Sequence, residues 1–477
     1  MTDTLRELIE ARGPIKKIGV VGMGYVGTPA AALFAALPGI EEVVGFERGS
    51  PVSEEKVATL NRGECPLKGE EPGLAALINK VVKAGTFRAT GDYAPVADLD
   101  AVTISVQTPF RDKKDLVPDY TPLKSALRSV GEHLSAGTLV VVESTVTPGT
   151  TSGMAREILE EASGLVAGED FALAHAPERV MVGRLLRNLR EHDRCVGGID
   201  EVSTARAVEL YAPLLTVGHV IPMTATAAEV TKTAENTFRD LQIAAANQLA
   251  LYCEAMGVNF YEVRTGIASL KGEGITRAVL WPGAGVGGHC LTKDTFHLER
   301  GVRAIGAGSL DFPDGRESLY TLARGINDFM PLHMLTLTRS ALGQVGKDLK
   351  GAKIALLGWA FLADSDDARE SPSETYYEAA TEAGAEVRVH DPWVRHADGV
   401  TISDDLEAVL SGADAVALFT AHHAYRRLDP ARVKPLCGGD HPAIIDGRNL
   451  VAPDPWIEAG CAYRGIGRGD RNTHTLR

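Results

Sequence analysis

The chain has 477 residues, 44% hydrophobic and 23% charged, with 50 glycines and 24 prolines, which excludes collagen-like, coiled-coil and disordered classes. Its length predicts two or three domains, each large enough to bury a core. Sixty-three acidic against 49 basic side chains give a formal charge of −14, so the overall field repels nucleic acid and anionic membranes, and a polyanionic ligand needs a local site.

The stretch Met1 to Pro14 carries Asp3, Glu7 and Glu10 and lacks the apolar run of a secretory signal. From Lys17 the sequence reads Ile18-Gly-Val-Val-Gly, then Met-Gly-Tyr-Val-Gly27, an Ala-rich run to Ala36, and Val43-Val-Gly-Phe-Glu47. A short apolar strand, a glycine turn, a helix and a second strand ending in an acid make one βαβ unit. Further apolar runs at Ala101–Val106 and Leu139–Val142 predict a parallel sheet extending to about residue 215.

Helix formers then run from Ala227 to Met256 without proline, which predicts one long helix. Its most apolar part, Leu241–Cys253, is 13 residues, short of the roughly 20 needed to span a bilayer. A glycine-rich stretch from Trp281 to Cys290 is followed by a helical pattern from about Ser318 to Leu342. Strand-like runs at Lys353–Leu357, Val387–His390 and Ala415–Phe419 predict a second α/β lobe, like the first only in class. The tail from Tyr463, with Arg464, Arg468, Arg471 and Arg477 among Gly and polar residues, reads as a flexible end. The six cysteines contain no CxxC pair, so neither a metal site nor a disulfide framework is expected, and a reduced, cytoplasmic setting is.

Three constellations carry chemistry. Gly22-x-Gly24-x-x-Gly27 follows a strand and opens a helix, and Glu47 lies 20 residues past Gly27 at the end of the next strand. The glycines make the tight turn, admit a pyrophosphate and allow close packing, while the acid accepts from ribose hydroxyls, which points to NAD rather than NADP. Arg48, next in the chain, weakens that preference. In Lys232-Thr-Ala-Glu-Asn236 a spacing of four places an ammonium and an amide on one helical face, able to hold a reacting oxygen. A surface lysine beside a capping-type asparagine is the alternative. In Gly283-Ala-Gly-Val-Gly287-Gly-His-Cys290-Leu-Thr-Lys293-Asp294, dense glycines deliver a thiol followed by a cation and an acid. That order suits a nucleophile with a charge stabiliser and an acid/base group, against a buried structural cysteine as the plain reading.

Together these segments closely resemble the UDP-glucose/GDP-mannose dehydrogenase family. The resemblance rests on Gly22–Gly27, Glu143-Ser-Thr145-Val-Thr-Pro-Gly-Thr-Thr151, Ala176-Pro-Glu178-Arg179-Val180, Ala228–Asn236, Gly287-Gly-His-Cys290 and Asp366-Asp-Ala-Arg369-Glu-Ser-Pro372, and covers essentially the whole chain. It implies two Rossmann-like doubly wound parallel-sheet domains joined by a central helical domain, with bounds here of 1–215, 216–347 and 348–477. The form Pro177-Glu-Arg-Val-Met-x-Gly-Arg-Leu-Leu186 resembles the branch that oxidises UDP-N-acetylhexosamines, with UDP-N-acetylmannosamine or UDP-N-acetylglucosamine as substrate. Members acting on UDP-glucose typically read Pro-Glu-Phe-Leu and carry another acid where Val182 stands.

The resemblance further implies a four-electron oxidation of a C6 alcohol with NAD as cofactor. Cys290 would attack an enzyme-bound aldehyde, Lys232 and Asn236 would hold the oxyanion, Asp294 would act as base, and Thr145 and Glu178 would place the water. Cofactor contacts carried over are Gly22, Gly24, the backbone of Tyr25 and Val26, Gly27, Glu47, Thr108, Thr145 and Lys293. For the nucleotide sugar they are Glu178, Arg179, Val180, Arg184, Lys232, Asn236, Arg277, Gly283, Gly287 and Arg369, the arginines 184 and 277 having plain solvent exposure as their alternative. Leu362 and Thr147 depart from the lysine and proline common in relatives at those positions. The resemblance implies a homodimer through the long helix, a helix buried in a monomer core being the alternative; no nucleic-acid or membrane partner is expected. A two-electron β-hydroxyacid dehydrogenase shares the dinucleotide domain and Lys-x-x-x-Asn helix but needs neither Cys290 nor the segment after residue 348. The non-enzymatic alternative is a silent nucleotide-sugar binding protein.

Overall fold

The computed structural model describes residues 2–67, 71–112, 117–269, 279–288, 290–306 and 308–473. The chain divides into two compact units, Met1–Glu235 with Lys293–Ser309, and Asn236–Thr292 with Leu310–Arg477. The helices Ala225–Ala255 and Leu291–Ala304 each run across a unit boundary, so the stretch 216–347 is shared between the units.

In the first unit the strands are β1 (Lys17–Val21), β2 (Glu42–Phe46), β3 (Phe87–Thr90), β4 (Ala101–Ile104), β5 (Phe110–Asp112), β6 (Val117–Pro118), β7 (Leu139–Val142), β8 (Ala172–His175), β9 (Arg194–Gly198) and β10 (Val220–Thr224). Eight of them form one sheet in the order β10-β9-β8-β7-β4-β1-β2-β3, and β5 and β6 form a separate ribbon. Reading β3-β2-β1-β4-β7-β8 gives the doubly wound order, with the reversal between β1 and β4. The expected all-parallel sheet fails at one seam. Strand β8 pairs with β9 antiparallel, while β9 and β10 are parallel to each other and carry the sheet past residue 215. Strands β1, β4, β7 and β8 are apolar and almost wholly buried, as a sheet covered on both faces requires.

In the second unit β11 (Lys353–Leu357), β12 (Glu386–His390), β13 (Ile402–Ser403), β14 (Ala415–Leu418), β15 (Ala443–Asp446) and β16 (Ala462–Gly465) form a parallel sheet ordered β13-β12-β11-β14-β15-β16. This is the same winding as in the first unit, so the two lobes share more than class. The likeness extends to the turns. Gly22 and Gly358 both follow the first strand at positive φ (+94° and +99°), and their N–H groups donate to Phe46 O and His390 O, each at 2.9 Å. In both lobes the acid after the second strand then accepts from the residue after that glycine: Met23 N–H to Glu47 (3.0 Å) and Trp359 N–H to Asp391 (2.7 Å). Asp391 also accepts from the N–H groups of Ala360, Trp393 and Val394, and from buried His422 Nε2 at 3.1 Å.

The helix Leu319–Gln344 starts at Ser318, whose hydroxyl caps Thr321 N–H, and its Met330, Met334 and Leu337 join Ile354, Leu356 and Trp359 in the second core. The tail corrects the sequence reading. Tyr463 and Ile466 are fully buried, Arg464 lies in β16, and a Cβ on Gly469 would lie 2.3 Å from Cys253 O. Asn472 exchanges two hydrogen bonds with the backbone of Gly465, and Arg471 pairs with Asp454, so composition alone misled; Arg477 lies outside the described residues. No helix among the described residues is long and apolar enough to cross a membrane.

Candidate active site

The dinucleotide turn has the geometry its glycines imply. A Cβ on Gly22 would lie 2.7 Å from Ser105 O after β4, and one on Gly27 would lie 2.1 Å from Gly22 O, so the helix Gly27–Ala35 abuts the strand end only because both are glycine. A Cβ on Gly24 would meet nothing within 4 Å, which leaves open space above the turn for a diphosphate; Tyr25 and Val26 complete the turn into the helix. Glu47 Oε1 accepts from Met23 N–H and from Lys56 Nζ at 2.6 Å, and Oε2 from Ser53 Oγ at 3.3 Å. Oε2 keeps room for a ribose hydroxyl, so the residues present fit an NAD adenosine half. Lys56 had no signal in the sequence, since it reaches back from the following helix.

The loops after β4 and β7 meet where Thr108 Oγ1 donates to Thr145 O at 2.6 Å. Two buried acids brace them. Glu143 accepts from Arg194 Nη2 (2.5 Å), Tyr211 OH (2.7 Å) and Ser105 Oγ (2.5 Å), and Glu229, on the long helix, accepts from Gly149 N–H (2.6 Å) and Thr151 N–H (2.8 Å).

The Pro177–Val180 loop is tied to the long helix. Buried Lys232 Nζ donates to Glu178 O at 2.7 Å and lies 3.8 Å from its Oε1, while Glu178 Oε2 accepts from Val180 N–H at 2.6 Å. Arg179 pairs with Glu235 at 2.9 Å and donates to Cys195 Sγ, and Arg184 is exposed at the start of the helix Leu185–Glu191. Sequence reasoning missed His175 at the end of β8. Burial, with the charges of Arg194 and Lys232, pushes its ring down to about 3, so it stays uncharged beside these cations.

On the helix Leu291–Ala304, Lys293 Nζ lies 3.4 Å from Asp294 Oδ1 and 3.5 Å from His297 Nε2, whose Nδ1 meets Thr147 Oγ1 at 3.2 Å. Tyr120 OH donates to the same Thr147 oxygen at 2.9 Å. Burial and then Lys293 hold His297 well below the ordinary histidine range, and Asp294 is fully buried. The hydroxyl of Thr147 thus makes contacts that proline would lack.

All of these residues belong to the first unit. The second holds Asn236, half-buried one turn past Lys232, with Gly283, Gly287, Cys290 and Arg369. A Cβ on Gly287 would lie 2.4 Å from Phe361 Cβ, and one on Gly288 2.8 Å from the Phe361 ring, so this run of glycines lets the backbone lie flat on Phe361. Gly288 N–H donates to Arg369 O, and the Arg369 guanidinium is engaged by Asp367 through Nε (2.7 Å) and Nη2 (2.5 Å). Cys290 is half-buried in the turn that opens the helix Leu291–Ala304. Arg277 lies outside the described residues. Arg448, which the sequence reading passed over, follows β15; its Nη1 crowds Gly283 and its Nε donates to Phe419 O at 2.8 Å. Its only sequence signal was a basic residue just past a buried strand.

The chain matches the UDP-glucose/GDP-mannose dehydrogenase family in three parts: the NAD binding domain over residues 16–215, the central domain over 226–310 and the UDP binding domain over 355–453. It is 36% identical over 454 residues to UDP-N-acetyl-D-mannosamine dehydrogenase of Pyrococcus horikoshii, covering 95% of this chain and 100% of that protein. It is similar to the crystal structure of NDP-N-acetyl-D-galactosaminuronic acid dehydrogenase from Methanosarcina mazei Go1, with 64% identity, 99% of each chain covered and a TM-score of 0.89. The structure of the Pyrococcus horikoshii enzyme aligns at a TM-score of 0.84 with 35% identity, over 95% of this chain and 100% of that one. The chain belongs to the UDP-glucose/GDP-mannose dehydrogenase family and is an NAD-dependent nucleotide-sugar dehydrogenase.

Proposed function

We propose that the enzyme oxidises the C6 primary alcohol of a UDP-N-acetylhexosamine to the uronate through a covalent thioester on Cys290. The observation that carries this reading is the buried Lys232 ammonium fixed against the Glu178 loop, a cation held in place before any substrate oxygen becomes charged. The two relatives above are both named for acetylated hexosamine derivatives, which supports that class and adds the galacto configuration to the manno and gluco ones.

Bound NAD⁺ supplies the hydride acceptor for both oxidations. The Cys290 thiol adds to the C6 aldehyde, forming a C–S bond, and the resulting oxyanion is neutralised by Lys232 with the Asn236 amide. After the second oxidation the carbon is a thioester. Water, deprotonated by Asp294 and placed by Glu178 and Thr145, adds to it, and C–S cleavage returns the thiol and releases the carboxylate. One alcohol, two NAD⁺ and one water give one carboxylate, two NADH and three protons.

The open turn and its neighbouring loops support cofactor roles for Gly22, Gly24, Gly27, Glu47, Thr108 and Thr145, and we add Lys293 to them. We place Gly283, Gly287, Arg369 and Arg448 on the nucleotide sugar. A homodimer is supported by apolar residues of the second unit left exposed on the long helix (Phe238, Tyr252), just past its end (Met256) and on the helix Leu319–Gln344 (Leu322, Phe329, Leu332). A thiol nucleophile needs a reducing setting, which favours the cytoplasm, where such products feed polysaccharide synthesis.

The test supplies UDP-N-acetylmannosamine, UDP-N-acetylglucosamine, UDP-N-acetylgalactosamine and UDP-glucose separately and counts NADH per sugar consumed, beside Cys290→Ser. About two NADH per sugar on one acetylated hexosamine, with steady turnover lost in the variant, is expected. One NADH per sugar would overturn the thioester route, and turnover of UDP-glucose alone would overturn the substrate class.

A further inference from the structure

The glycine loop 283–288 is anchored by hydrogen bonds at both ends. Gly283 N–H donates to Asn247 Oδ1 at 2.9 Å, Ala284 N–H to Gly447 O at 3.0 Å and Gly288 N–H to Arg369 O at 2.9 Å. The N–H groups of Gly285, Val286 and Gly287 donate to no acceptor among the described residues. Three successive amides with no acceptor among the described residues, on a loop whose glycines are required by Pro372 and Phe361 against it, are of the kind that bind anions.

The Asn247 anchor is itself held by a buried polar chain. Asn247 Nδ2 donates to Asn327 Oδ1 at 2.8 Å, and Asn327 Nδ2 donates to Asp240 Oδ1 at 2.8 Å and to Asp240 O at 2.9 Å. Arg324 Nη1 donates to Asp240 Oδ1 at 2.7 Å. All four side chains are buried, and the two asparagines are wholly so. The order of donors and acceptors is forced. Asp240 offers Asn327 its main-chain oxygen and the carboxylate oxygen that Arg324 also holds, both acceptors, so Asn327 must turn its amide nitrogen toward them and its oxygen toward Asn247; Asn247 must then present its own oxygen to Gly283. An asparagine flip anywhere along the chain would place two like groups in contact inside a dry site.

We propose that Asn247 and Asn327 are positioning residues for the nucleotide sugar. Oriented by Asp240, they fix the first amide of the glycine loop so that the amides of 285–287 stay available to its diphosphate. The inference rests on the assignment of this loop to the substrate given under Proposed function. It goes beyond that assignment in naming residues that touch no ligand yet set its affinity.

The test measures binding of a UDP-N-acetylhexosamine by calorimetry, NAD binding separately, and the steady-state constants, for wild type, Asn247→Leu, Asn327→Leu and the double variant. Asn247→Leu is expected to weaken sugar binding and raise its KM roughly tenfold, as one unsatisfied buried amide implies, with kcat changed less and NAD affinity unchanged. Asn327→Leu, which leaves the Asn247–Gly283 bond in place, is expected to show a smaller loss of the same kind and serves if Asn247→Leu does not fold. The double variant is expected to bind no more weakly than Asn247→Leu, because both act through one amide. A fall in melting temperature with sugar affinity unchanged would overturn the proposal, as would equal losses for sugar and NAD or additive losses in the double variant. Wild type that binds the sugar without oxidising it would sink the reaction assigned above while leaving this test intact; wild type that binds no UDP-sugar would overturn both.

Discussion

The ammonium of Lys232 donates across 2.7 Å to the main-chain oxygen of Glu178, linking the long helix to the loop that follows β8. In the reaction proposed above, this fixed cation stabilises the developing oxyanion. Lys232→Met is therefore expected to lower kcat by about 10²–10³, with NAD affinity unchanged by calorimetry. Retention of wild-type kcat would show that the contact only secures the loop.

Gly24 and Gly27 differ in what a methyl group would meet, so they separate binding from folding. Gly24→Ala places its Cβ in open space, and the variant is expected to melt like wild type yet lose NAD affinity by roughly tenfold or more, because the methyl group enters the space of the diphosphate. Gly27→Ala forces a Cβ to 2.1 Å from Gly22 O, and both melting temperature and NAD binding are expected to fall. Thermal melts with and without NAD distinguish the two.

Removing the guanidinium from the Glu143 cluster strands a carboxylate in the core. Arg194→Met is expected to cost about 3–5 kcal/mol of stability, the usual penalty for breaking a buried pair from one side. Tyr211→Phe removes one neutral donor from the same carboxylate and should cost only about 1–2 kcal/mol. Denaturant unfolding that ranks the two variants in the opposite order would contradict this account.

His175 gives the protein an acid sensitivity. Unfolded, it binds a proton below the ordinary value of 6.5; folded, burial and then the charges of Arg194 and Lys232 keep the proton off until about 3. Between those limits the unfolded state binds more protons, so stability falls as pH falls, by up to about 1.4 kcal/mol per pH unit for this one residue. His297, also pushed down, acts in the same direction. His175→Phe is expected to flatten the dependence of unfolding free energy on pH between about 4 and 6 without abolishing it. An unchanged slope would mean that His175 is charged in the folded protein.

How much of this was legible in the residues depended on the range over which each feature is built. The glycine turn and Glu47 were readable because a strand, its turn and the next strand end lie within one βαβ unit. The reversal of β9 and β10 was not, since strand direction is decided by pairing with β8, and nothing within Arg194–Gly198 encodes it. The tail was misread for a related reason: glycines and arginines resemble a solvated end until Tyr463 is seen buried and Arg471 is seen on Asp454. Arg179 and Arg369, expected on the nucleotide sugar, are engaged by Glu235 and Asp367, acids whose proximity only the folded chain creates. Cys290, Lys232 and Asp294 were found by residue type and spacing, whereas Asn247 and Asn327, 80 residues apart, had no local signature.

The matched turns of the two lobes have unequal futures as recognition elements. Glu47 has a carboxylate oxygen with lone-pair capacity to spare. Asp391 receives five donors on its two oxygens, from Trp359, Ala360, Trp393, Val394 and His422, which fills the roughly four lone-pair positions a carboxylate offers. A ribose hydroxyl arriving at Asp391, as one would at Glu47, would find its lone pairs already taken. The same scaffold thus serves as a reader in one lobe and a rivet in the other, and one chain should titrate with a single equivalent of dinucleotide.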